Sequence, residues 1–217
     1  MKKTTLIAIC FTLLAASARA QSISQADIDF SVTAGVAFDA AERGFAATHN
    51  FSPKSLYENN FTFIEIGLSS VDYESLDSSY FKTGGAMTFK YFYPTFASDT
   101  SNSRYSGNLF GFDLVGLNLL PKVKFVDLLV TGGLNMGSKK VRIDRNVKYK
   151  NFVFAPRVTS ELRVRIGPKF SLTARIEKQW DVSNPRWKLK KGLDLLDLTE
   201  FKYSPVLVSA GFGWKIM

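Results

Sequence analysis

Few side chains in this sequence could start a chemical step. A hydroxyl nucleophile needs a histidine base within reach and an acid to hold that base. The only histidine is His49, followed by Ser52, Ser55 and Glu58 in a polar stretch. A loop holds such groups loosely, and no hydroxyl or acid at a strand end stands out as a partner. His49 therefore reads as an exposed loop side chain, and no catalytic residue is assigned. No cluster of Cys, His and Asp has the spacing of a metal site, so neither a metal nor a cofactor is expected. Gly84-Gly85 and Gly132-Gly133 sit inside alternating apolar segments, where glycine relieves crowding or marks a bulge. They are not phosphate loops.

The one cysteine, Cys10, lies in a targeting pattern. Lys2 and Lys3 precede an apolar run from Leu6 to Ala15, and Ala18-Arg19-Ala20 supplies the small-x-small motif that a signal peptidase cuts. Ile9 stands where a lipoprotein signal carries a small residue. The run is too short to cross a bilayer as a helix, which takes about 20 apolar residues. Residues 1–20 are thus expected to be a signal peptide cleaved after Ala20, and residues 21–217 to form one domain. Losing twenty residues, three of the 28 basic side chains and none of the 19 acidic ones leaves 197 residues with net charge +6. Export argues against nucleic acid as the partner. Lipopolysaccharide phosphates are polyanions that an exported basic chain would meet.

Charged residues recur at every second position, which says what must hold them. On one side of the alternation stand Glu65, Lys90, Asp113, Asp127, Arg157, Glu161, Arg163, Arg165, Arg175 and Glu177, together with Lys82. Apolar residues fill the other side. Ile28, Phe30, Val32, Ala34, Val36 and Phe38 alternate with Asp29, Ser31, Thr33, Gly35 and Ala37. The pattern returns from Thr62, from Phe81, from Phe110 through Phe112, Leu114 and Gly116, and from Val126. The clearest repeats run Phe154 to Ile166 and Phe170 to Trp180, and the last runs Val206 to Ile216. Period two over 10 to 14 residues is a strand signal, and such lengths reach across a membrane at a tilt. No mature stretch has 18 consecutive apolar residues, so a transmembrane helix is excluded.

The connections alternate as well. Long polar stretches (41–60, 94–106, 136–151 and 182–204) follow the first, third, fifth and seventh strands. Tight turns, Pro121-Lys122 and Gly167-Pro168-Lys169, follow the fourth and sixth. Outer-membrane barrels show this asymmetry, with long loops outside and short turns in the periplasm. Aromatics sort by height in that orientation. Phe38, Phe61, Tyr91, Tyr93, Phe152, Trp180 and Tyr203 form an outer girdle; Phe30, Tyr80, Phe81, Phe125, Phe170, Phe212 and Trp214 form an inner one.

From Ile28 to Met217 the chain resembles the small eight-stranded outer-membrane barrels of the OmpA/OmpX type. The resemblance implies an all-β fold, an eight-stranded antiparallel up-and-down transmembrane β-barrel in the bacterial outer membrane. Such barrels usually finish on an aromatic residue; here Phe212 and Trp214 alternate near the end, but the last residue is Met217.

An eight-stranded interior is only wide enough for side chains to fill. The ten charges above are therefore expected to pair into a lumen network, and the lumen to be closed. Function then falls to the loops. Arg186, Trp187, Lys188, Lys190 and Lys191 have the composition of a lipid-headgroup contact. Leu193, Leu195, Leu196 and Leu198 need burial against the rim, the interface or a partner protein. The third loop alternates through Val141, Ile143, Val147 and Tyr149, so strands five and six are expected to continue as a ribbon above the membrane. The expected role is structural or interactive, non-enzymatic, with a narrow transport barrel or a lipid-modifying enzyme as the alternatives.

Overall fold

The computed structural model describes residues 27–52, 61–71, 81–82, 86–97, 103–120, 123, 125–143, 147–193 and 198–216. Residues 1–20, expected to be a signal peptide, and Ser55, Glu58, Leu195 and Leu196 lie outside the described residues. Eight long strands make up the wall: β1 Asp27–Phe38, β2 Phe61–Val71, β3 Ala86–Ala97 and β4 Arg104–Asn118, then β5 Val126–Ile143, β6 Val147–Arg165, β7 Phe170–Gln179 and β8 Val206–Lys215. Each pairs antiparallel with its neighbour in sequence. β8 then pairs with β1, from Phe38↔Val206 to Asp29↔Lys215. Closure leaves no edge strand unpaired.

Alternation decides which side of the wall meets what. Thr33, Glu65, Lys90, Asp127, Arg157 and Glu177 are buried inside. Ile66, Leu68, Met87, Phe89, Val158, Leu162, Leu172, Ile176 and Val208 are exposed on the outside. A soluble protein does not surround itself with an apolar surface of that extent. Hydrocarbon is the solvent that fits it, with polar groups turned inward. Phe38, Tyr91, Tyr93, Phe152 and Trp180 stand exposed at the long-loop end of this belt, and Phe125, Phe170, Phe212 and Trp214 at the other end. Amphipathic rings favour those two interfaces.

Small inward residues give the long charged ones their room. A Cβ on Gly111 would lie 2.1 Å from Asn135 Oδ1 and 2.5 Å from Arg157 NH1; one on Gly107 would lie 2.5 Å from Lys139 Cδ.

Three features depart from the simple alternation. A β-bulge between Asp113 and Val115 shifts the register of β4, so that Gly116 pairs with Thr131 and Asn118 with Leu129, both on the inner face. Gly116 thus faces inward, not outward beside Phe110 as its even number suggests, because the extra residue inverts the phase. Phe61 and Tyr203 are no part of the outer girdle. They are 2% and 1% exposed, because their positions fall on the inward parity. Finally, the segment 39–50 is no plain loop: it folds into helix α1, Ala40–Thr48. Asp39 caps α1, its Oδ1 accepting from the backbone N–H groups of Ala41 and Glu42 at 2.9 and 3.1 Å. Its other oxygen accepts from the Ser204 N–H at 2.6 Å, tying the helix to the entry of β8.

β5 and β6 stay paired from Val126↔Val164 up to Ile143↔Val147. At 18 and 19 residues they run well past the 9–11 needed to cross the hydrocarbon core, so their upper parts rise beyond that core as a ribbon. The start of β4 flanks this ribbon on one side, Arg104 opposite Arg142, and Lys188–Lys191 adds a short fourth strand on the other, against β6.

Candidate functional site

The lumen holds two layers of different chemistry. The lower and middle layer is ionic. Lys90 Nζ lies 2.7 Å from Glu65 Oε2 and 2.9 Å from Glu177 Oε2. Arg157 reaches Glu177 at 3.2 Å and Asp113 at 2.8 Å, and its NH1 also donates to Thr88 and Asn135. Arg175 pairs with both Glu65 and Glu161. Arg163 pairs with Glu161 at 2.8 Å and with Asp29. Nearest the short turns, Arg165 holds Asp127 at 2.8 Å, and Asn118 Nδ2 donates to the same carboxylate at 3.0 Å.

All ten charged residues singled out from the alternation lie in these pairs. The structure adds Asp29, Asn118, Asn135, Thr88 and Gln179. Asn135 could have been found by continuing the odd-numbered inner parity of β5; Asn118 could not, because the bulge hides its face. The side chain of Lys82 lies outside the described positions. Five cations face six carboxylates across these pairs. Buried charge is tolerated when it is paired and its remaining hydrogen-bonding groups are satisfied.

Above this layer the lumen turns aromatic. Phe61, Phe63, Phe92, Tyr105, Leu109, Val141, Val153 and Leu207 line the upper wall and are buried together with Phe45 and Ala46 of α1 and with Leu198, Phe201 and Tyr203 of the last loop. Phe45 stacks on Trp187 at 5.1 Å, and the rings of Phe201 and Tyr105 lie 5.0 and 5.5 Å away. Helix α1 and the stretches 181–193 and 198–205 are thus a lid whose apolar side closes the mouth.

The lid is pinned by one buried ion pair. Glu42 of α1 receives Lys139 Nζ at 2.7 Å and a hydrogen bond from the Tyr105 hydroxyl at 2.6 Å. The same ammonium sits 3.7 Å from the centre of the Phe92 ring and 4.2 Å from that of Tyr203. Sequence reading missed this pair, since Glu42 falls in a stretch that reads as a polar loop. Burial pushes the Glu42 carboxyl above its ordinary value, against the opposing pull of Lys139 and Tyr105. The sign follows: a raised value in the docked state favours docking below the ordinary carboxylate range and loses that contribution as pH rises through the raised value. Trp187 fluorescence, in a chain with Trp180→Phe and Trp214→Phe, is expected to report a lid that loosens from acid toward neutral pH. Glu42→Gln should flatten that dependence; a pH-independent wild-type signal would refute it.

The residues read as a headgroup contact separate. Trp187 turns into the lid, with its indole N–H donating to the Thr199 carbonyl at 3.2 Å, because the aromatic cluster offers it more buried contact than the interface does. Arg186 meets Glu200 at 3.3 Å on the surface. Lys188, Lys190 and Lys191 remain exposed. Of the leucines, Leu198 is buried under the lid, while Leu193 is 76% exposed. His49 ends α1 with its ring 4.7 Å from Phe45, and its Nε2 accepts from the Thr199 N–H at 3.4 Å.

No protein-family model and no curated protein matches the chain in sequence. Solved structures do match it in shape. A major outer membrane protein of Thermus thermophilus superposes with a TM-score of 0.53 at 10% identity, over 87% of this chain and 99% of that one. The fold is that of a small outer-membrane barrel. The attachment invasion locus protein Ail of Yersinia pestis gives 0.47 at 9% identity, over 88% of this chain and 97% of that one. The N-terminal β-barrel domain of Pseudomonas aeruginosa OprF gives 0.45 at 11% identity, over 88% and 100%. This barrel differs in sequence from all three.

Proposed function

We propose that this chain, exported and cleaved after Ala20, serves the bacterial outer membrane as a structural and surface-interaction barrel, neither a pore nor an enzyme. The observation that carries the reading is the filled lumen, with paired charges below and an aromatic lid above. Side chains as large as Lys90, Phe63, Phe92 and Tyr203 are at most 1% exposed inside it. Contact with the surroundings falls to the outer end, where Arg186, Lys188, Lys190 and Lys191 can meet phosphates of lipopolysaccharide. The exposed Leu193 in the 182–204 segment offers a partner protein an apolar foothold.

The test is conductance. The refolded mature barrel is expected to stay silent in planar bilayers across both polarities. Steady single-channel currents from the wild type would overturn the reading.

A further inference from the structure

The outward face of the ribbon beyond the hydrocarbon core carries a charge pattern that the lumen does not need. Register aligns it in two rows. In the upper row Arg104 stands opposite Arg142, Arg142 opposite Lys148, and Lys148 opposite Lys191. In the lower row Ser106 stands opposite Lys140, Lys140 opposite Lys150, and Lys150 opposite Lys188. Seven of eight adjoining positions on four strands are cationic. Like charges placed directly opposite destabilise a sheet, so the pattern is a cost to folding.

Among the described residues none of the seven makes an ion pair. Asp144 lies outside the described residues and is followed in sequence by Arg145. The crowding is felt: burial of its stem and the charges of Lys148, Lys150 and Arg104 hold the Lys140 ammonium below its ordinary value. The ribbon tolerates this because its other face is anchored, with Tyr105, Val141, Val147 and Tyr149 buried in the lid.

Height identifies what meets the cations. Phe152, an exposed ring of the outer girdle, lies one step of the outer face below Lys150 and two below Lys148. At about 3.3 Å per residue, the rows stand roughly 7 and 13 Å above the girdle along the strand. Strands of such barrels tilt by about 45°, so the rows rise about 5 and 9 Å above the girdle, into and just past a headgroup layer about 5–8 Å thick.

The geometry points to a phosphate-binding face made by Arg104, Lys140, Arg142, Lys148, Lys150, Lys188 and Lys191, whose ligand is the phosphorylated lipid of the outer leaflet, lipid A. It deepens the proposed headgroup contact, shifting its centre from the 186–191 loop to the strands of the ribbon. It requires the lid end to face outward but not that the lumen be closed, so the conductance test and this one fail independently.

The probe is lipid A itself, with two, one or no phosphates, titrated onto the refolded mature barrel in detergent micelles. Lys140→Gln/Lys148→Gln/Lys150→Gln is compared with the wild type and with Lys202→Gln, a surface control. Each basic side chain near an anionic surface is worth about a factor of five, so the triple variant should bind bisphosphorylated lipid A on the order of 100-fold more weakly. Wild-type affinity should fall with each phosphate removed, and added salt should weaken it. Without lipid A the triple variant should be at least as heat-resistant as the wild type, which also shows that it folds. Equal binding by variant and wild type, or indifference to phosphate count, would overturn the assignment. So would a soluble heparin fragment that binds more tightly than lipid A, since the face would then read a polysaccharide.

Discussion

Replacing Glu177 with leucine is expected to lower the stability of the barrel by about 3–5 kcal/mol, the cost of removing one partner from a buried charge network. Glu177 accepts from four donors: Lys90 Nζ at 2.9 Å, Arg157 NH1 at 3.2 Å, Asn135 Nδ2 at 2.7 Å and Gln179 Nε2 at 2.6 Å. Glu161 also accepts from four N–H groups, but these belong to Arg163 and Arg175 alone, whereas the four donors of Glu177 are four different residues. Leucine leaves Glu65 as the one described carboxylate for Lys90 and Asp113 as the one for Arg157, and takes the acceptor from the amide N–H groups of Asn135 and Gln179. Urea unfolding of the refolded protein in lipid vesicles, followed by the shift between folded and unfolded bands on a gel, reads the effect. Glu177→Gln keeps an acceptor and should lose less than leucine does. A leucine variant within about 1 kcal/mol of the wild type would mean that the network fills space without contributing to stability.

The second large effect is expected at the lid. Lys139→Met leaves the Glu42 carboxylate inside an aromatic cluster with only the Tyr105 hydroxyl to hold it. Breaking a buried pair from one side costs about 3–5 kcal/mol, and α1 is the element free to relieve it by leaving. The variant should expose α1 to protease and shift Trp187 emission to longer wavelength while the wall stays folded. The double variant Glu42→Met/Lys139→Met removes both charges and should dock again, because an apolar pair of similar volume suits the surrounding rings. Were the single variant as protease-resistant as the wild type, the pair would not be the pin. Were the double variant as open as the single, the effect would come from lost volume and not from charge.

The wall was legible in the sequence because period two is a strong signal and because a one-residue slip would turn every charge toward lipid. Ten lumen charges fell on the right side of that alternation, from Glu65 to Glu177. What escaped was whatever breaks the period. The bulge after Asp113 moved Gly116 and Asn118 to the inner face, and nothing in the residue types marks it. The lid escaped for another reason. Phe61, Phe63 and Phe92 sit on the same parity as Glu65 and Lys90, so the sequence places both sets in the lumen without saying that height separates them. Glu42 and Phe45 are brought to that layer by a nine-residue helix whose cap, Asp39, is also one of many loop aspartates. Trp187 beside a run of lysines has the look of an interfacial anchor; only the position of Phe45 shows that its ring is used inside.

The ionic layer also constrains how the barrel is made. Its pairs do not follow the chain: Asp29 of β1 is held by Arg163 of β6, and Glu65 of β2 by Arg175 of β7. A growing sheet that has not yet joined β8 to β1 therefore carries arginines and carboxylates whose partners are still on the far side of the gap. In hydrocarbon that intermediate is prohibitively costly. Forming the last seam and the ion pairs together, where water or another protein shelters the charges until the cylinder shuts, avoids that cost.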